Sequence, residues 1–253
     1  MAVKVRDTGR PFAKKILSLT GRFAVWEIWS DFIFMTAVAI SNTVDQSHYE
    51  AREAAYMKTI EKYNEKERMV FPELLAELVS ALEQNPEQDF LGDLYMELEL
   101  GNHWRGQFFT PYSVCRLMAE VTCEDAAQQI RDKGHITMND CACGAGATLI
   151  AGIHAVRRII EKEGMNWQDH VLVTAQDIDM VTGLMCYIQL SLQGAAGYVK
   201  IGNTLTDPMA AGDSKENYWY TPMYFSPVWT LRRMFYSMLG SAPTTTMDQT
   251  PVL

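Results

Sequence analysis

The sequence is short of positive charge. Its 22 Lys and Arg stand against 31 Asp and Glu, a formal net charge of -9. A surface of that sign argues against tight, sequence-independent binding of nucleic acid, though it leaves room for a local basic groove or a basic partner. Cysteine is sparse too: five in 253 residues, three of them at Cys123, Cys141 and Cys143. An odd set in a chain this long does not make a disulfide scaffold, and reduced thiols in a cytoplasmic setting are expected. No apolar run spans a bilayer or serves as a signal peptide; "DFIFMTAVAI" is too short, so no membrane association is expected. Structural zinc needs two ligand pairs. Cys141 and Cys143 form one pair, with Cys123 and His135 upstream, and there is no second. Metal is therefore not expected, and the two thiols read as buried and inert. A phosphate-binding Walker loop is excluded as well, because no lysine follows Gly146 in a Gly-Lys-Ser/Thr pattern. No internal repeat is visible.

What is present suits a globular α/β chain. The hydrophobic content of 48% supports a substantial core. Residues 1–100 read as a helical N-terminal domain. "FAKKILSLT" and "RFAVWEIWSDFIFMTAVAISN" carry apolar residues at helical spacing, with Trp26, Trp29, Phe32 and Phe34 as core aromatics. "SHYEAREAAYMKTIEKYNEKE" reads as one solvated helix, and "FPELLAELVSALEQNP" as another with Pro72 in its first turn. Residues 101–240 read as an α/β domain and residues 241–253 as a polar, Pro/Thr-rich tail whose composition predicts disorder. Thr110-Pro111 is placed to start a helix, with threonine as cap. From about residue 136, strand-like and helix-like runs alternate, which predicts a parallel sheet. "TPMYFSPVWTLRRMFYSMLG" adds one further strand and a helix.

The stretch "NDCACGAGATLIAG" joins the first strand to the first helix of that unit. Gly144 and Gly146 let the backbone bend sharply and approach a ligand, and the helix start offers free amides. Asp140, at the carboxyl end of the strand, would repel a pyrophosphate but pair with an ammonium group. The second strand ends in "AQDID", where Asp177 is placed to accept hydrogen bonds from ribose hydroxyls. Asn203, in "IGNTL" after the third strand, is placed to meet an adenine amino group. A ligand with an amino acid at one end and a nucleoside at the other fits: S-adenosyl-L-methionine. Taken singly, each residue reads equally as a turn former or helix cap, Asp177 and Asp179 included. Three polar stations at successive strand ends favour a cofactor site.

"GQFFTPYSVCRLM", "NDCACGAGATLI", "AQDID" and "IGNTL" together resemble the modification (methyltransferase) subunits of type I restriction systems and related adenine-specific (N6) DNA methylases. The resemblance covers about residues 100 to 207 and, more loosely, the helical N-terminal region. It implies a Rossmann-like S-adenosylmethionine-dependent methyltransferase fold with an incomplete sheet and an N-terminal helical domain. It also implies site roles. Thr110 and Pro111 would lie over the methionine end of the cofactor, and Asp140 would face its amino group. Cys143, Gly144 and Gly146 would form the loop beneath it, Asp177 would hold the ribose, and Asn203 would stand near adenine in place of the usual aspartate. DNA is the implied substrate, read with help from a second subunit, a restriction-modification partner or self-association.

One departure bears on activity. The family carries Asn/Asp-Pro-Pro followed by an aromatic residue after the fourth strand, which holds and stacks the flipped target base. That tetrapeptide is absent. The nearest stretch is "FSPVW", with Ser226, Pro227 and Trp229 as catalytic candidates and Trp229 as the base-stacking residue. Two functions follow: an adenine-N6 DNA methyltransferase, or a cofactor-binding but inactive module or decoy acting through a restriction or methylase partner. A methyltransferase of another substrate is a third, kept open by the acidic surface. The cofactor half of the pattern is nearly intact and the substrate half eroded, which favours cofactor binding with little or no DNA methylation by this chain alone.

Overall fold

Six helices open the chain: α1 (Arg10–Ser18), α2 (Val25–Ser41), α3 (Tyr49–Ile60), α4 (Glu65–Arg68), α5 (Val70–Gln84) and α6 (Phe90–Glu97). The computed structural model describes residues 7–100, 109–210 and 212–239. The tail 241–253 and the "GQF" of the first motif lie outside the described residues. The charged stretch read as one helix is two, because Asn64 interrupts it. Its side chain accepts the Lys66 and Glu67 amides, while Glu67 reaches back to the Asn64 amide, a capping box that starts α4 afresh. The apolar stripes meet in an aromatic cluster. Phe12 meets Trp29, Phe32 and Phe90 edge-on, with centroids 5.9, 5.2 and 5.9 Å apart. Trp29 and Phe32 are buried as expected, and burial of each stabilises by about 1.5–3 kcal/mol. Trp26 is 43% exposed, since its position on α2 turns it away from the core. Phe34 only packs against the core margin.

The second part alternates. It contains α7 (Tyr112–Thr122), α8 (Ala126–Lys133), β1 (Ile136–Asp140), α9 (Ala147–Ile160), α10 (Trp167–His170), β2 (Val171–Asp177), α11 (Met180–Leu192), β3 (Ala196–Ile201), β4 (Tyr218–Tyr220) and α12 (Pro227–Leu239). The sheet order is β1-β2-β3-β4. β1, β2 and β3 are parallel, in a register that sets Asp140 beside Ala175 and Asp177 beside Ile201. Their carboxyl ends therefore share one rim. α9 packs on β1, and α11 packs on β2 and β3, so the connecting helices cover one face.

The fourth strand differs from the expectation of a parallel sheet. It lies upstream of the stretch read as strand and helix, and it pairs antiparallel, with Tyr198 beside Tyr220. Among the described residues between β3 and β4 there is no helix to carry the chain back to the starting side, so it returns in the opposite direction. β1 is left as an edge strand. α12 then begins at the amino end of the parallel strands, opposite the rim that carries Asp140 and Asp177.

α11 is the central helix. Every residue from Thr182 to Leu190 is buried, because α2 and α6 cover the side that the sheet does not. The N-terminal helices and the sheet thus share one apolar core. A buried Arg52 adds a polar tie: its guanidinium donates to Ser41, to Asp45 and to the Tyr218 carbonyl at 2.5, 3.0 and 2.7 Å, and it lies 3.8 Å from the Trp219 ring centroid.

Candidate functional site

The turn after β1 needs two left-handed residues, and glycine supplies both. Gly144 has φ +52° and Gly146 has φ +96°. A side chain at either position would also crowd its neighbours. A Cβ on Gly144 would come within 3.1 Å of the Phe109 ring, and one on Gly146 within 2.8 Å of the Cys186 sulfur. The loop is drawn tight over α11, and α9 starts at Ala147 with its first amides at the same rim.

Asp177 ties this loop to the end of β2. One carboxylate oxygen accepts the Gly144 amide at 2.8 Å. The other accepts the Asp179 amide at 2.9 Å and the Thr182 hydroxyl at 3.0 Å. Its backbone carbonyl accepts the Gly202 amide at 2.8 Å, so the end of β3 is held as well. Two more bonds close the rim: Cys143 N–H to the Gln176 carbonyl at 3.0 Å, and the Thr204 hydroxyl to the Cys141 carbonyl at 2.5 Å. A carboxylate offers about four acceptor positions, so Asp177 retains capacity for a further donor on its Gly144-bonded oxygen.

Asp140 accepts the Ala142 amide at 3.0 Å, the turn-forming role open to it from sequence. Asn203 likewise accepts the Leu205 amide at 2.9 Å. Asp179 caps α11 through the Val181 and Thr182 amides at 2.9 and 3.0 Å. Local capping and a place at the rim are thus combined in the same residues. Thr110 and Pro111 are exposed at the start of α7. Pro111, not Thr110, occupies the cap position, and no side chain caps that helix. Phe109 beside them touches both Gly144 and Tyr95, which brings this segment against the glycine loop.

The thiols divide. Cys143 is buried, and a hydrogen bond with Cys186 followed by desolvation holds its pKa well above the usual thiol value. It stays protonated and unreactive at neutral pH. Cys141, expected to be buried, is exposed, because it sits at the outer bend of the turn. Among the described residues no three His, Cys, Asp or Glu side chains are grouped to hold a metal ion.

The three catalytic candidates do not join this site. Trp229 is 2% exposed, donates its indole N–H to the Gln168 carbonyl at 2.8 Å, and meets His135 edge-on at 5.6 Å. His135 precedes β1 and Gln168 precedes β2, so Trp229 lies under the amino ends of the strands. At about 3.3 Å per residue, β1 alone separates it from Asp140 by on the order of 15 Å. Ser226 and Pro227 begin α12 at the same end. With Trp229 buried and its N–H occupied at the opposite end of the strands, "FSPVW" brings no stacking ring to this rim.

Three positioning residues carry little sequence signal. Gln189, fully buried on α11, donates to Asp89 at 2.8 Å and to the Ala145 carbonyl at 2.9 Å, and accepts the Leu91 amide at 3.1 Å. It fastens the glycine loop to α6. Gln176 donates to the Gly202 and Asp207 carbonyls at 3.2 and 2.8 Å. Lys200, also buried, bonds Asp207 and Asp213, each at 2.8 Å, and pins the loop that follows Asn203. The available clue is a polar residue inside an apolar run, as in "YIQLSL" and "YVKIG".

A cavity of about 290 Å³ lined by Val79, Leu82, His154, Arg157, Trp167 and Gln193 shares no residue with the rim. No helix among the described residues is long and apolar enough to cross a membrane.

No curated protein matches the chain. Among solved structures, it is similar to the methyltransferase subunit of a type I restriction-modification system from Streptococcus thermophilus, at 16% identity and a TM-score of 0.39. That match covers 85% of this chain and 43% of the other, so the chain spans less than half the length of that relative. The family model described as N-6 DNA methylase matches residues 87–249. The matched span contains the glycine loop, Asp177 and Asn203 and amounts to well over half of the sequence, so the chain belongs to the N-6 DNA methylase family.

Proposed function

We propose that this chain binds S-adenosyl-L-methionine across the carboxyl ends of β1, β2 and β3. It would then form the cofactor half of an adenine-N6 DNA methyltransferase and not transfer methyl groups to DNA unaided. The observation that carries the reading is the bond from the Gly144 amide to Asp177, which sets a left-handed glycine turn and an acid at adjoining strand ends. The residues fit the group. Asp140 would take its ammonium, the Gly144–Gly146 turn would pass beneath its methionine portion, and Asp177 would accept from its ribose. Asn203 would face adenine, with Thr110 and Pro111 over the methionine end. When bound, the cofactor supplies an electrophilic methyl group. This chain's contribution is to bind and orient it.

The second half of the reading rests on Trp229 and Ser226, which sit at the far end of the sheet and leave the rim without a base-stacking group from that stretch. DNA methylation would then require a partner that supplies the target-base wall and a DNA-reading surface. Calorimetric titration with S-adenosyl-L-methionine, followed by tritiated methyl transfer onto mixed-sequence unmodified DNA, tests both halves. Binding without transfer is expected. No heat and no thermal shift at about millimolar cofactor would remove the binding site. Turnover by the isolated chain near one per second would remove the claim of inactivity.

A further inference from the structure

Five of the eight residues from Tyr218 to Phe225 are aromatic. Strand alternation divides them. Trp219 faces α11, where it meets Tyr187 at 5.6 Å, while Tyr218 and Tyr220 point to the opposite face of the sheet, which α9 and α11 leave uncovered. There Tyr198 of β3, the strand partner of Tyr220, sits at the centre of a ring cluster. Its centroid lies 5.6, 5.7 and 5.8 Å from those of Tyr218, Tyr220 and Tyr224. Phe225 extends the cluster, 5.4 Å from Tyr224, and is 40% exposed. Tyr198, Tyr220 and Tyr224 are half-buried, and none of their hydroxyls is bonded within the described residues. Two cations border the rings. The Lys215 ammonium lies 4.4 Å from the Tyr218 centroid, and the Arg233 guanidinium 3.9 Å from that of Tyr224. Neither has a carboxylate partner among the described residues, in a chain of formal net charge -9. Lys200, 5.7 Å from the Tyr218 centroid, is by contrast neutralised by Asp207 and Asp213.

We infer that this face binds single-stranded nucleic acid, with bases stacked on the Tyr198, Tyr220, Tyr224 and Phe225 rings and phosphates held by Lys215 and Arg233. An open sheet face whose aromatic rings take successive bases, bordered by cations that follow the backbone, holds such a strand with little regard to sequence. The rings and the cations together choose the occupant. Rings alone would suit a protein partner, and cations alone would suit any anion. A stackable group joined to a negative charge at every repeat is a nucleic-acid strand. It is single-stranded because a duplex keeps its base faces stacked on one another, closed to the tyrosines. The cations stand at the two ends of a run of rings, Tyr218, Tyr220 and Tyr224, with centroid steps of 6.1 and 4.9 Å, so more than one nucleotide is held. Two phosphate contacts on an acidic chain give weak binding, with Kd about 10–100 µM at about 50 mM salt. The surface is a face of the sheet and not the rim that carries Asp140 and Asp177, so the inference does not rest on cofactor binding.

The test is fluorescence anisotropy of a labelled mixed-sequence DNA strand of about 15 nucleotides, and of its duplex, titrated with the full chain to about 300 µM. The single strand should bind, and the duplex should bind at least about fivefold more weakly. The logarithm of affinity against the logarithm of salt should fall with a slope of about -1.4, the value for two phosphate contacts. Lys215→Glu, at an exposed position, should weaken binding about fivefold or more and flatten the slope to about -0.7. Lys162→Glu makes the same charge change just beyond α9, on the covered side of the sheet, and should alter affinity less than about twofold. Tyr224→Leu, which removes a ring and keeps apolar bulk, should also cost about fivefold or more. A thermal melt checks that this variant folds, and the two lysine variants decide the matter if it does not. A wild type that leaves the anisotropy unchanged at the top of the range overturns the inference and assigns the rings to a protein partner. Equal affinity for the duplex overturns base stacking, and equal losses in Lys215→Glu and Lys162→Glu overturn the assignment to this face.

Discussion

Asp177 does two jobs that pull on the same carboxylate. It organises the rim by accepting from Gly144, Asp179 and Thr182, and under the proposed function it also accepts from the cofactor ribose. Removing it should therefore cost both structure and affinity. Asp177→Ala is expected to weaken S-adenosyl-L-methionine binding at least about tenfold, roughly 1.4 kcal/mol, and to lower the thermal midpoint. Titration calorimetry together with a thermal melt separates the two effects, and undiminished affinity in a folded variant would deny the ribose role. Gly146→Ala probes the turn from the other side. At φ +96°, with Cys186 sulfur 2.8 Å from the added carbon, the substitution should destabilise by about 1–3 kcal/mol and reduce affinity for the same cofactor. A melt indistinguishable from wild type would show that the loop relaxes at no cost.

At the scale of elements, what is legible in the sequence is what local chemistry decides. The run from β1 to β3 declares itself because β-branched and apolar residues alternate with helices between glycine and acid turns, and that alternation locates Asp140, the glycine loop and Asp177 on one rim. The break at Asn64 is also a local event, written in the Asn-x-x-Glu spacing, although the even charge of the region masks it. β4 and α12 are different. Tyr218–Tyr220 is three residues long, and its direction is set by the missing helix before it, so no periodicity marks it. Trp229 reads as a stacking group only while its neighbours are unknown. His135 and Gln168 hold it from two separate segments, a contact set that no local pattern encodes. The structure makes α12 a clamp on the amino ends of β1 and β2. Trp229→Ala should accordingly destabilise by about 3–5 kcal/mol, while Trp229→Phe, which keeps most of the volume and loses one hydrogen bond, should cost far less. Chemical denaturation gives both numbers. Cofactor affinity per folded molecule should be unchanged in Trp229→Phe, and a selective loss of it would return Trp229 to the site.

Across the whole molecule, two partly or fully buried histidines set the expected response to mild acid. His135 and His154 both lie toward the amino-end side, His135 against Trp229 and Tyr236, and His154 bonded to Gln193 at 2.9 Å in the lining of the open pocket. Both imidazoles are held below their ordinary value of about 6.5, in each case first by desolvation, and at His135 also by the Arg232 charge. The sign follows from linkage. A histidine whose folded pKa is depressed takes up its proton more readily in the unfolded chain, so the unfolded state binds more protons in the window just below 6.5. Stability from these groups is present above that pH and is lost as pH falls through their folded values. Carboxylates such as Asp45, which burial alone would raise but which hydrogen bonds from Ser47 and His48 and the nearby Arg52 charge together lower, exert their own effect below the ordinary carboxylate value of 3.8. The two windows are separable. The thermal midpoint should therefore fall between about pH 7.5 and 5.5, before carboxylates protonate. His154→Gln, which removes the titration and keeps a polar partner for Gln193, should flatten part of that slope, and pairing it with His135→Gln should flatten most of it. A slope unchanged in the double variant would assign the acid sensitivity to other groups and leave the two buried imidazoles as silent members of the core.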